Sequence, residues 1–210
     1  MIALLRQQLL KTRSLASKKA VEFFAQTFGF VYFGQFGVNS DGQLVRGLTT
    51  SLGQVDSHYT LGHYRGYDIT IVERQTSHPP GYRWLAMQFD LKTTGHPHLY
   101  ITSYNHSAGF YQDLFSKFTY LGKADQLFSF HDPMFAKFFK VFAAPNDFMA
   151  IGRHITFEIT TMLGYHFRQF DYELTDNHLY VYSVNSLATP GQLREMLRVG
   201  MWLVGKFDIS

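Results

Sequence analysis

Ten histidines, at 58, 63, 78, 96, 98, 106, 131, 154, 166 and 178, are the residues of this chain most able to do chemistry. An imidazole can ligate a metal or move a proton near neutral pH. A metal site needs three or four ligands converging at about 2 Å. On a helix that favours an i, i+4 pair, and no two of these histidines stand four apart. His96 and His98 are two apart and would share one face of a strand. His58 and His63 are five apart and would face opposite sides. No metal site is expected. His58, His63, His96 and His98 remain the candidate polar groups of a small-ligand pocket lined by Phe and Tyr. Among the carboxylates, Asp171 and Glu173 would share a strand face and could do acid–base work if enclosed. Tyr172 and Leu174 alternate with them, so a wet face is expected for the acidic pair. Glu158 falls off the apolar stripe of its helix and should be solvated.

Other chemistries lack their residues. The chain has no cysteine, which excludes disulfides, thiolate metal sites and cysteine nucleophiles. The sequence holds no G-x-S-x-G elbow, no H-E-x-x-H and no phosphate-binding glycine loop. Gly34, Gly37 and Gly42 form a loose glycine segment without the Lys and helix that phosphate binding needs. No catalytic residue and no cofactor is expected.

Charge is unevenly placed. Arg6, Lys11, Arg13, Lys18 and Lys19 lie in the first 20 residues, with no acid before Glu22. The remaining 14 bases face 16 acids, so residues 21–210 carry −2 although the whole chain carries +3. That balance opposes single-stranded nucleic-acid binding through Tyr and a basic arm. The five N-terminal cations are the candidate contacts for an anionic membrane surface or a protein partner. No apolar run reaches the roughly 18 residues of a membrane-spanning helix. MIALLRQQLL is interrupted by charge and glutamine, and no small-residue cleavage site follows, so no secretory signal is expected.

These residues must be positioned by helices and an antiparallel sheet. Leu5, Leu9, Ala16, Ala20, Phe23 and Phe24 recur near a 3.6 period, which predicts a basic amphipathic helix over 1–28 that stops at Gly29. FGFVYFG (28–34) reads as a short strand, and the Gly- and polar-rich stretch 35–55 as a loop. YTLGHY (59–64) and YDITIVER (67–74) are strands joined at Arg65-Gly66. RWLAMQFDL (83–91) and HLYITSY (98–104) continue the series, so four consecutive strands predict a meander. Residues 105–130 show no clear period. Asp132-Pro133 predicts a short helix through Lys137, and FKVFAA (139–144) a strand. Phe148, Ile151, Ile155, Ile159 and Met162 predict one helix over 147–163, ended by Gly164. RQFDYELT (168–175) and HLYVYSV (178–184) form a hairpin across Asp176-Asn177. Thr189-Pro190 starts a final helix with Leu193, Met196, Leu197, Gly200, Leu203, Val204 and Phe207 inward. The fold class is α+β: a meander plus C-terminal hairpin, packed in two layers by N-terminal, central and C-terminal helices. No linker divides residues 1–210, so one domain is expected.

Several stretches together resemble an uncharacterised family of bacterial proteins that pair membrane segments with a cytosolic α+β domain. They are the Gly29-Phe30 step, GHYRGYDITIVE (62–73), Pro97-His98-Leu99, DPMFAKFFKVFA (132–143) and ELTDNHLYVYS (173–183), which leads into Thr-Pro-Gly-Gln-Leu (189–193). The resemblance covers about residues 14–207. It implies a bacterial α+β domain and brings no catalytic residues. This sequence departs from that pattern by lacking a membrane span. The expectation is a non-catalytic cytoplasmic module that binds a protein partner or docks at the inner face of a membrane. The alternative is a small-ligand-binding or hydrolytic domain built on the histidine pocket.

Overall fold

Gly29 takes φ +73 and stops the first helix, α1 (Ile2–Phe28), where only glycine turns without strain. The structure, a computed structural model, describes residues 2–35, 45–50, 54–76, 82–103, 106–124, 127 and 132–208, with α1 side chains from Ser14 onward. Nine strands of antiparallel sheet and six α-helices lie among the described residues, an α+β fold. The chain forms two compact units, Met1–Gln88 with Ser183–Arg198 and Phe89–Tyr182 with Val199–Ser210. No helix among the described residues is long and apolar enough to cross a membrane.

In the first unit, β1 (Val31–Gly34), β2 (Val55–Tyr64), β3 (Tyr67–Gln75) and β4 (Arg83–Asp90) follow in sequence order. Arg65 and Gly66 both take positive φ in the two-residue β2–β3 turn, the pairing such hairpins favour. α1 packs on β1 and β2. Its inward stripe is Ser17, Ala20, Val21, Phe24 and Ala25, all buried. Phe24, Phe28, Phe30 and Tyr64 make a chain of ring contacts there. Gly62 lets Phe30 lie on the strand, because a Cβ there would stand 2.1 Å from the Phe30 ring.

Arg74 is fully buried. Its guanidinium donates to both oxygens of Asp56 at 2.8 Å, to the Thr49 and Thr50 hydroxyls at 2.9 and 3.2 Å, and to the Val45 carbonyl at 2.5 Å. Residues 45–50, inside the expected 35–55 loop, are therefore pinned to the sheet, and Val45, Leu48 and Thr49 are buried. Residues 36–44 and 51–53 of that loop lie outside the described residues, as do His78 and His131.

In the second unit, β5 (His96–Ser103) pairs with β8 (Asp171–Asp176) and with β7 (Phe139–Ala143), and β6 (Gly122–Lys123) flanks β7. β5 is thus not the fourth strand of a meander. Both its sides are taken by strands that return some 40 to 75 residues later, a pairing that local alternation does not encode. β8 and β9 (His178–Val184) form the expected hairpin, with Asp176 at φ +50.

The unread 105–130 stretch contains α2 (Ala108–Lys117), capped by Ser107, whose hydroxyl accepts from Phe110 N. Asp132 caps α3 (Pro133–Phe138) as expected, accepting from Met134 N and Phe135 N. The expected helix over 147–163 is two: α4 (Phe148–His154), after a 3-10 turn at Pro145–Asp147, and α5 (Phe157–His166). Ile155 leaves helical geometry, and Thr156 caps the restart. Gly164 does not end α5. It sits inside it, where a Cβ would stand 2.8 Å from Phe135 N, so its role is close approach to α3. α6 (Pro190–Phe207) buries Leu193, Met196, Leu197, Gly200, Leu203, Val204 and Phe207, the expected face.

Candidate functional site

The outward side of α1 is mixed in character. Leu15 is 58% exposed and Phe23 53%, and the exposed Lys19 lies between them at four-residue steps. Successive i, i+4 positions form one line along a helix. Lys18 is also exposed and stands 3.7 Å from Glu22 Oε1, a weak surface pair. Arg6, Lys11 and Arg13 lie on the same helix, and their side chains are outside the described residues. The sequence pattern puts Phe23 inward with Phe24. Neighbouring residues on a helix point about 100° apart, and only Phe24 reaches the sheet.

On the sheet side of α1 the apolar seat becomes polar. His58 takes φ +59 within the β2 bulge between Ser57 and Thr60. Its Nδ1 lies 2.9 Å from the Tyr32 hydroxyl. His58 Nε2, Glu73 Oε2 and Ser17 Oγ are buried and have no hydrogen-bond partner among the described residues. Burial pulls the His58 pKa down and Lys18 and Arg83 add to this, while Glu73 and Glu22 push it up without prevailing. Burial raises Tyr32, helped by Glu22 and Glu73. His63 sits near the β2–β3 turn, mostly exposed, with Nδ1 2.9 Å from Asp68 Oδ1. His58 and His63 therefore do not share a site.

In the second unit the acidic pair of β8 is not wet. Asp171 is 2% and Glu173 1% exposed. The segment that enters α2 covers Asp171. His106 donates through Nε2 to Asp171 Oδ2 at 2.7 Å and stacks on Phe110 at 4.1 Å between ring centres. Asp171 also accepts from the Tyr100 hydroxyl at 2.9 Å and from Ser103 N at 2.9 Å. Glu173 accepts from His98 Nε2 at 2.9 Å and from the Tyr182 hydroxyl at 2.6 Å. The Tyr120 hydroxyl, 2.6 Å away, donates to His98 Nδ1. Burial and Asp171 hold the Tyr100 phenol well above its ordinary pKa, and burial and Glu173 raise Tyr120. A phenol so held stays protonated and serves as a hydrogen-bond donor. Both carboxylates are thus surrounded by donors, and in the Tyr120–His98–Glu173–Tyr182 chain every hydrogen has an acceptor.

His96 belongs to another cluster. Its Nε2 is 2.7 Å from Thr93 Oγ1 and its Nδ1 3.1 Å from His154 Nε2, while Phe207 lies against both rings. A register shift in β5 between His96 and Leu99 separates it from the His98 network. The four candidate histidines therefore fall two to each unit, each with its own partners. The partners Tyr120, His106 and His154 had no signal in the sequence beyond residue type. No group of three or more metal-ligating side chains comes together among the described residues.

No family model matches the chain. No curated protein matches it. Among solved structures it is similar to the crystal structure of the mycobacterial trehalose monomycolate transport factor A, TtfA, at a TM-score of 0.63 and 13% identity over 92% of this chain and 93% of that one. At that identity the likeness is one of fold.

Proposed function

We propose that this chain is a non-catalytic docking module that seats on an anionic membrane surface, at its cytoplasmic face, through the outward side of α1, and there assists a transport process. The observation that carries this reading is the line Leu15, Lys19 and Phe23, in which exposed apolar and basic residues alternate. A helix whose only task was to cover the sheet would carry polar residues outward. An interfacial helix inserts its apolar groups and sets its cations among lipid phosphates. The likeness in fold to a protein named as a transport factor supports the second half of the reading. The closed hydrogen-bonding of the Glu173 network fits a structural role for those polar residues.

The test is cosedimentation with anionic vesicles at low and high salt, for the full chain and for a version lacking residues 1–20. Binding that needs the segment and fades with salt is expected. If the full chain stays in the supernatant at low salt, the reading fails and α1 is a structural element of the fold.

A further inference from the structure

Four hydrogen bonds in the second unit run in one chain between two groups that can only accept. At one end is the Asp208 carboxylate, whose Oδ1 is 2.6 Å from Thr93 Oγ1. Thr93 Oγ1 is in turn 2.7 Å from His96 Nε2. His96 Nδ1 is 3.1 Å from His154 Nε2, and His154 Nδ1 is 3.0 Å from the Ala150 carbonyl. Each contact needs one hydrogen. The Thr93 hydroxyl supplies one and two neutral imidazoles supply one each. Three hydrogens cannot fill four bonds.

The missing hydrogen can be located. A carbonyl only accepts, so His154 Nδ1 carries a hydrogen and its Nε2 is a lone pair when the ring is neutral. His96 Nδ1 must then donate to it. If Thr93 donates to Asp208, His96 Nε2 must carry a hydrogen too. If Thr93 donates to His96, Asp208 must be protonated. Asp208 also accepts from Lys92 N at 3.0 Å and Thr93 N at 3.1 Å, and backbone donors favour the ionised carboxylate. The extra proton therefore belongs to the imidazoles.

We propose that His96 and His154, closed by Thr93 and Asp208, form a one-proton site that is filled at neutral pH and ties the end of α6 to the β4–β5 turn and to α4. The charged and titratable groups facing His96 are His154, Asp208 and Asp176, the last of which also caps Gly95 N from the β8–β9 turn. Burial and then His154 pull the His96 pKa down, and Asp208 and Asp176 push it up. Against that pull stands the hydrogen count, since a neutral pair leaves one short contact at Thr93 without a hydrogen. Hydrogen bonding to the charged form favours that form. The two rings hold that one extra hydrogen between them. Loss of the proton at alkaline pH removes one bond where three elements meet.

The experiment is a pH series of long-range proton–nitrogen correlation spectra on the full, ¹⁵N-labelled chain. At pH 7 the wild type should show both His96 ring nitrogens protonated, with Asp208 ionised by its carboxyl carbon shift. Thr93→Val keeps the shape and removes the hydroxyl, so His96 should become a neutral ring at pH 7. The proton affinity of His96 should fall by about tenfold, or one pH unit. A wild-type His96 with one protonated nitrogen at pH 7 overturns the proposal. So does a protonated Asp208, or a Thr93→Val chain with an unchanged titration.

Discussion

Two substitutions on the outward side of α1 separate membrane docking from plain packing. Phe23 is 53% exposed. Full burial of such a side chain stabilises by about 1.5–3 kcal/mol, so roughly half, about 0.8–1.5 kcal/mol, remains for a lipid phase to gain. Phe23→Ser should weaken vesicle binding by about fourfold to twelvefold, at about 1.4 kcal/mol per factor of ten. Lys19 is exposed and has no acid partner among the described residues, whereas Lys18 leans to Glu22. A lysine at an anionic surface contributes about 1 kcal/mol, and reversing its charge removes that and adds a repulsion of similar size. Lys19→Glu should therefore weaken binding by roughly thirtyfold at low salt. The two losses should differ in salt response. That of Lys19→Glu should shrink as the screening length falls from about 10 Å at 0.1 M to about 3 Å at 1 M, while that of Phe23→Ser should persist. Urea unfolding should move by only about 0.5 kcal/mol for either variant, because neither side chain faces the sheet. The assay is partition between buffer and vesicles of stated anionic-lipid content, with unfolding measured on the same samples. Wild-type partition by both variants, with folding intact, would refute the assignment of this face to lipid.

Three further predictions concern the scaffold. Arg74→Met leaves the Asp56 carboxylate, 6% exposed, without its guanidinium, and should cost about 3–5 kcal/mol in urea unfolding. The amides of residues 45–50 should then exchange faster, because their anchor is gone. Gly200→Ala and Gly205→Ala, both on α6, should have opposite signs. A Cβ at Gly200 would stand 2.1 Å from the Phe89 ring and should cost about 1–3 kcal/mol. One at Gly205 meets nothing within 4 Å and should gain about 0.5–1 kcal/mol of helix stability. Burial holds folded His58 below the ordinary imidazole pKa, so the unfolded chain binds more protons as pH falls through about 6.5. Stability should drop over that window, and His58→Asn, which tolerates the left-handed backbone, should flatten the drop measured by urea midpoints at pH 7.5 and 5.5.

Local chemistry was legible where it acts within a few residues. Asp132-Pro133, Thr189-Pro190, Gly66 and Asp176 do in the fold what their types allow, while Arg65 is carried into positive φ by the tight turn. The expected helix over 147–163 hid a break because Ile151, Ile155 and Ile159 are buried with or without it. An apolar stripe records which residues are inward, not whether the backbone between them stays helical. Thr156, with its hydroxyl 3.4 Å from Ile159 N, was the available sign. The meander failed at β5 for a different reason. Its partners come from far along the chain, and strand order over such separations depends on which faces fit.

The acidic pair of β8 and the phenylalanines of α1 show one limit from two sides. Period two marks one face of a strand as dry and leaves the other undetermined, so Asp171 and Glu173 are expected to be wet, whereas His106 covers Asp171 and His98 and Tyr182 close on Glu173. Period 3.6 likewise shows that α1 has an apolar side and does not count how many large residues its seat accepts. The seat takes Val21 and Phe24, and around His58, Glu73 and Ser17 it is polar. Leu15 and Phe23 are what it leaves over. An apolar surplus beside lysines costs the free protein solvation and gains nothing in its core. In the reading proposed above a second surface takes up these residues, and an anionic membrane would use both kinds at once.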